Sequence, residues 1–451
     1  VTQKTFAAGV ELRRLLALAA PLLIAQVSQT AMGVVDTIMA GHYNANDLAA
    51  VAVGFSIWLP AMLFIMGLMM GNTALVARAV GAHDYDALTR NIWAALLVSL
   101  MVSLPIASGL WFADHILLRM GVASDIAIIS RDYMRAIAIG MPAVGIYYAL
   151  RSLTEGMGRT RPIMVIGFTA FILHIPLNYV LIHGLFGLPE LGGVGCGVST
   201  AVLMWFSAGA LCVIATTRKP MVTLQWITHV RVPHHSDIGA VFRIGLPVAA
   251  ATFAEMSLFA MVAIMLAPFG AITVGGHQVA LNSTSVTFML PLSLAMAATI
   301  RIGHEMGAGN YVLAQKLTKL TFVCATAIAL FNFTLIFTCA DVITRLYSND
   351  DQVRKVAAHL LLLAAIYQLP DALQVCANGV LRARKDTLIP MLLVLIAYWC
   401  VGFPLGYWLG EGGAGNIAYG ATGYWWGLVA GLTAAALMLI ARLVLSGHRR
   451  H

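Results

Sequence analysis

The chain has 451 residues, of which 60% are hydrophobic and 10% charged; a soluble globular domain is about half apolar and about one quarter charged. So large an apolar excess cannot be absorbed by one core, and it points to a lipid solvent instead. The net charge of +8 does not mark a nucleic-acid partner, because the basic residues sort by membrane side.

A membrane-crossing helix needs about 20 mostly apolar residues. The sequence predicts twelve such spans, at 15–39, 48–72, 91–113, 133–150, 163–183, 193–216, 240–268, 276–300, 318–340, 356–380, 388–409 and 424–446. The runs are unbroken, which argues for helices and against the alternating ten-residue strands of a barrel. Lys4, Arg13 and Arg14 precede the first run, but no convincing cleavage site follows it, so it reads as a retained helix. If the N-terminus is cytoplasmic, the outer segments hold only Arg119, Arg131, Arg135, Arg345, Arg354 and Lys355 of the 27 basic residues. The bias, which includes Lys4, Arg151, Arg231, Arg301, Arg449 and Arg450 on the inner side, predicts both termini inside. Of six cysteines, five fall within spans and Cys196 opens one; none has metal or disulfide-framework spacing.

The chain also repeats itself. Pro21 in "LAAPLLIA" matches Pro247 in "RIGLPVAA" at a shift of 226, and "VGAHDY" matches "MGAGNY" at the same shift. Pro142 and Pro162 match Pro370 and Pro390 at 228, as do "PLNYVL" and "PLGYWL", and Gly192 and Gly195 match Gly420 and Gly423. Six spans per repeat return the chain to its starting side. The expected fold is therefore all-α and polytopic, with two parallel six-helix repeats related by an axis along the membrane normal. The expected lobes are 1–216 and 239–451, joined by the polar stretch 217–238. A cleft between lobes would suit alternating access.

Three acids stand well inside spans: Asp36, Glu255 and Asp371. Glu255, in "AATFAEMSLFAMVAIML", lies about half-way along its run, where a carboxylate costs roughly 2–4 kcal/mol even on lenient scales. Asp36 is four residues from the expected helix end and has a shorter route to water. Asp371 follows Pro370, which removes a backbone donor and predicts a kink with freed carbonyls. Tyr367, four residues earlier, shares its helix face, where it is either a ligand or a packing residue. Gln278, Asn282 and Ser285 form a polar stripe at helical spacing in "HQVALNSTS", and His277 reads as a structural histidine. Interhelical hydrogen bonding explains such a stripe as readily as a site does. His174 and Asn178, four apart, share a face and, with Thr200, are candidate partners of Asp36. Beside an acid, His174 is also a proton-handling candidate. "GGVGCG" opens no βαβ unit, "HEMGAG" lacks a second zinc-ligand histidine, and no nucleophile–base pair stands out, so no enzyme is expected.

The strings "MGVVDTIMAG", "ELGGVGCGVSTA", "GLPVAAATFAE", "HQVALNSTS", "AAIYQLPDALQV" and "LRARKDT" resemble the multidrug and toxic compound extrusion (MATE) family, most closely its NorM branch. The resemblance covers essentially the whole chain. It implies a bacterial inner-membrane multidrug efflux antiporter, associated with antibiotic resistance. Such a protein exports cationic amphipathic drugs and dyes in exchange for Na⁺ or H⁺, with no other cofactor and as a monomer among lipids. It places the cation site of the C-lobe on Glu255 and Asp371, the Na⁺ ligands if sodium is the coupling ion, with Tyr367 nearby and Asn282 and Gln278 in support. It places the acid of the N-lobe on Asp36, with Asn178 and Thr200. One departure is clear: "HIPLN" stands where the NorM branch carries "NIPLN", so His174 replaces an amide with a titratable group. The rival reading is a lipid-linked oligosaccharide flippase of the same superfamily. It would want mid-span arginines and lysines for a pyrophosphate, and here the mid-span charges are acids.

Overall fold

The computed structural model describes residues 7–113, 123–219, 221–224, 226, 232–412 and 419–448. Lys4, Arg119, Arg231, Arg449 and Arg450, and residues 220, 225 and 227–231 of the expected joint, lie outside them. The described residues form twelve long helices: α1 Ala8–Tyr43, α2 Ala45–Gly81, α3 Tyr85–Trp111, α4 Ser124–Gly156, α5 Arg161–His183, α6 Gly193–Thr217, α7 His235–Leu266, α8 Ala271–Gly307, α9 Tyr311–Tyr347, α10 Asp351–Ala383, α11 Leu388–Glu411 and α12 Ala421–His448. Each expected span corresponds to one of them, and all twelve are long and apolar enough to cross a membrane. Most run further than expected. The span 133–150 becomes the 33-residue α4, about 50 Å long at 1.5 Å per residue, against a hydrocarbon core of about 30 Å. Polar ends capped by side chains carry the helices beyond that core: Asn44, Asp84 and Asp350 accept from amides in the first turns of α2, α3 and α10.

The repeat is visible in backbone geometry. After α2, the amides of Ala82, His83 and Asp84 donate to Arg78, Val80 and Ala79; after α8, Ala308, Gly309 and Asn310 donate to His304, Met306 and Glu305, each 226 further on. His83 and Gly309 hold the same left-handed position, with φ of 56° and 75°. At a shift of 228, Leu191 and Gly192 donate to Leu181 and Ile182, and Tyr419 and Gly420 donate to Leu409 and Gly410. Both halves therefore fold back through the same turns.

By packing, the chain divides into two compact units, Ala20–Ala249 and Val1–Ala19 with Ala250–His451. Their borders fall inside α1 and α7, whereas the joint expected from the sequence repeat was 217–238. In the first unit α4 is central and packs on α2, α3 and α6; in the second α8 and α10 are central, flanked by α9 and α12. These three helices have the lowest mean hydropathy of the twelve, 1.3 for α4 and 1.5 for α8 and α10, and are the most buried. The reason is solvation: a lipid-facing helix must be apolar, whereas one enclosed by protein can satisfy polar atoms there. In the second unit, α11 and α12 meet through glycine. A Cβ on Gly427 would lie 2.4 Å from the Cα of Gly406, so the backbones touch as only small residues allow.

Candidate functional site

In the unit Ala20–Ala249, the sequence expected Asp36 to lie near a helix end. The helix instead continues to Tyr43, and Asp36 is buried at 3% exposure. Its Oδ1 accepts from Asn178 Nδ2 at 2.6 Å and lies 2.8 Å from His174 Nε2. His174 and Asn178 do share one face of α5, and both are fully buried. His174 Nδ1 meets the Ser199 hydroxyl at 3.1 Å, and the Cys196 thiol points at the Asp36 carbonyl, 3.9 Å away. The expected partner Thr200 is buried, but its hydroxyl has no hydrogen-bond partner. Ser199, about 100° round α6, makes the contact. A neighbouring acid, Asp47, is committed elsewhere: it accepts from the Gly193 amide at 2.6 Å, closing the N-terminus of α6.

The geometry constrains the protons. An ionised Asp36 can only accept, so Nε2 of His174 carries a hydrogen. In neutral His174, Nδ1 then accepts from the Ser199 hydroxyl. In the doubly protonated ring, Nδ1 donates and the same hydroxyl turns to accept. Both states are satisfied without moving a heavy atom.

The second acid site lies within the other unit. Gln374, on α10, donates from Nε2 to Glu255 Oε1 on α7 at 3.4 Å. Asp371 is one turn before Gln374 and 6% exposed. Tyr367, 3% exposed, completes that face of α10 and stacks on Trp425, with centroids 6.0 Å apart and planes 20° apart. Trp425 Nε1 donates to His277 Nδ1 at 3.1 Å. His277, read from sequence as a satisfied fixture, is satisfied at that nitrogen only; its Nε2 is buried without a partner. Gln278 and Asn282 bond each other at 3.2 Å on an exposed face of α8, and Ser285 turns back to the Leu281 carbonyl. The buried face of that helix carries Ser283 and Thr284 instead.

Two more residues that sequence reading passed over stand out: Gln374, which bonds Glu255, and Tyr398 of α11, fully buried on a π-helical stretch with no hydrogen-bond partner for its hydroxyl. Nothing in "AYWCVG" sets Tyr398 apart from an ordinary apolar span. Arg151 and Arg301, counted as inner-side charges, are also buried and paired. Arg151 donates to Glu155 at 2.6 Å and Gln26 at 3.0 Å. Arg301 donates to Glu11 at 2.9 and 3.1 Å and also to Glu305.

The comparisons with known proteins agree with this architecture. The MatE family model matches twice, over residues 21–180 and 247–408, a shift of 226 at the start and 228 at the end. Multidrug resistance protein MdtK of Yersinia pseudotuberculosis is 42% identical over 441 residues, covering 96% of this chain and 95% of that protein. Multidrug resistance protein PmpM of Pseudomonas aeruginosa is 40% identical, covering 97% and 92%. Among solved structures, the eukaryotic MATE transporter AtDTX14 superposes with a TM-score of 0.88 at 21% identity, covering 97% and 96%. An outward-facing multidrug resistance MATE transporter of the MOP superfamily gives 0.87 at 20%, covering 99% and 100%. With two matches spanning most of the chain, relatives alike along its whole length and twelve membrane-length helices, the protein belongs to the MatE family of multi-pass membrane transporters and is not an enzyme.

Proposed function

We propose that this protein is a multidrug efflux antiporter of the NorM branch, exporting cationic amphipathic drugs and dyes in exchange for Na⁺ or H⁺. The observation that carries the reading is the acid pair within one unit: the Gln374 amide donates to Glu255, and Asp371 is buried one turn before Gln374 on the same helix. A buried carboxylate and a half-buried one in the same unit favour the uptake of a proton or cation. The names of the relatives MdtK and PmpM support multidrug export.

Coupling then follows from competition. A cationic drug gains from unneutralised acids, and an incoming ion removes that gain and favours release outside. Only such differential affinity can shift a conformational equilibrium. One charge moving inward across 100 mV supplies about 2.3 kcal/mol, a useful fraction of the work. The lobes 1–216 and 239–451 rock about the joint 217–238 in alternating access. The protein works as a monomer in the bacterial inner membrane with both termini cytoplasmic.

The test is dye efflux from liposomes containing the purified protein, driven by a Na⁺ or pH gradient. Glu255→Gln, Asp371→Asn and Asp36→Asn should each lose ion-driven export. Wild-type rates in all three would sink the acid-based mechanism.

A further inference from the structure

Helix α8 carries Pro291 in its interior. Proline has no amide hydrogen, so the carbonyl four residues earlier, that of Thr287, loses its helical donor. The donor comes from another helix. Asn332, mid-way along α9, gives Nδ2 to the Thr287 carbonyl at 3.1 Å. The same Nδ2 also donates to Gln368 Oε1 on α10, at 3.1 Å. Gln368 stands two residues before Pro370, which frees the Ile366 carbonyl in the same way. Its own Nε2 turns back to the Ala364 carbonyl at 3.3 Å. One side chain thus joins the proline-weakened turns of both central helices of this unit.

The clasp is enclosed: Asn332 is 0% exposed and Gln368 2%. The Asn332 oxygen is buried without a partner, so the residue gains from its two hydrogens alone. A buried amide costs free energy unless it is paired, and leucine would fill the place without that cost. Nor does the fold demand the arrangement. At the repeat shift of 226, Pro291 falls on Ile65; at shifts of 226 to 228, Asn332 falls on Leu104, Pro105 or Ile106. The kinking proline and its amide occur together in the unit that holds Glu255 and Asp371, and neither stands at the matching place in the other.

We propose that Asn332 is a positioning residue for coupling: its amide replaces the hydrogen bond that Pro291 cannot make, ties the bend of α8 to that of α10, and so fixes where α10 presents Asp371. The inference rests on the reading of the Glu255–Asp371 pair as the coupling site. Asp371 follows Gln368 by three residues, less than one helical turn, so an error in the setting of Gln368 is carried to the carboxyl. Interhelical hydrogen bonds in membranes are individually weak. Losing this one is therefore felt in ion affinity rather than in folding.

The experiment uses the full chain in liposomes loaded with ethidium, driven by whichever gradient, Na⁺ or pH, the wild type uses. Asn332→Leu keeps the volume and removes both hydrogens. It should raise the half-saturating ion concentration about fivefold, or move the midpoint about 0.7 units toward acid if the ion is a proton, with maximal rate and ethidium affinity within about twofold. Adding Pro291→Ala to that variant returns a helical amide to the Thr287 carbonyl. Half-saturation should then come back to within about twofold of the wild type. An amide that only holds the fold together would lower the melting temperature and leave half-saturation in place. Unchanged half-saturation in Asn332→Leu therefore overturns the assignment, and so does a failure of Pro291→Ala to restore it. Should Asn332→Leu not fold, Gln368→Met, which removes only the α10 end of the clasp, decides by the same measure. Asp371→Asn runs alongside. If it exports like the wild type, the reading of the acid pair fails and this inference goes with it. If it abolishes coupling while Asn332→Leu leaves half-saturation unchanged, the inference alone is overturned.

Discussion

Removing Glu11 exposes how much the buried charges matter. Arg301, 8% exposed on α8, receives Glu11 of α1 through two hydrogen bonds of 2.9 and 3.1 Å and also bonds Glu305 one turn along its own helix. Glu11 is itself 5% exposed, so solvent does not soften the loss. Breaking a buried ion pair by removing one partner costs about 3–5 kcal/mol. Arg301 keeps Glu305, so Glu11→Gln should cost about 3 kcal/mol, the lower end of that range. The comparison within the molecule is Gln26→Ala beside Arg151. There the lost partner is a neutral amide at 3.0 Å and the Glu155 carboxylate remains. That change should cost only about 1–2 kcal/mol, one hydrogen bond to a charged group. Denaturant unfolding in mixed micelles, followed by tryptophan fluorescence, measures both. Replacing Glu11, Arg301 and Glu305 together by leucine, methionine and leucine should recover most of the loss, because apolar substitutes for a buried triad are often neutral or stabilising. A cost below about 1 kcal/mol for Glu11→Gln, the value of a surface pair, would refute the reasoning.

Two further outcomes are expected. His174→Ala removes one partner of Asp36 and the partner of the Ser199 hydroxyl, so it should destabilise by about 1–3 kcal/mol; an unchanged melting temperature in detergent would refute a structural role for this contact. Gly427→Leu drives a side chain into the Gly406 backbone at 2.4 Å and should destabilise by at least about 3 kcal/mol, the upper end for overpacking, measured as lost yield and lower melting temperature in detergent.

The twelve spans, the repeat and the three mid-span acids were legible in the sequence because the bilayer writes them there. Lipid tolerates only long apolar helices, so each crossing leaves an unbroken run and each intramembrane charge stands out. The face shared by His174 and Asn178 was legible too, since helical spacing is local. Contacts between helices were not. Thr200 and Ser199 look alike on paper, and only the rotation of α6 turns Ser199 to His174. Gln278 and Asn282 form a stripe at helical spacing, but the sequence does not say which way it faces; packing leaves it exposed.

What the sequence determined by itself was the count of crossings, their pairing into two repeats and the identity of the costly charges. Each follows from the energetics of a single segment in lipid, and that energy is a sum over neighbouring residues. What only the tertiary structure decided was partnership. Arg301 finds Glu11 from 290 positions away, Gln374 finds Glu255 across 119, and Tyr398 is buried on a π-helical stretch that no residue in "IAYWCVG" announces. Those choices depend on helix rotation and distance across the bundle, and a buried polar atom is satisfied or left waiting only when the whole unit has closed around it.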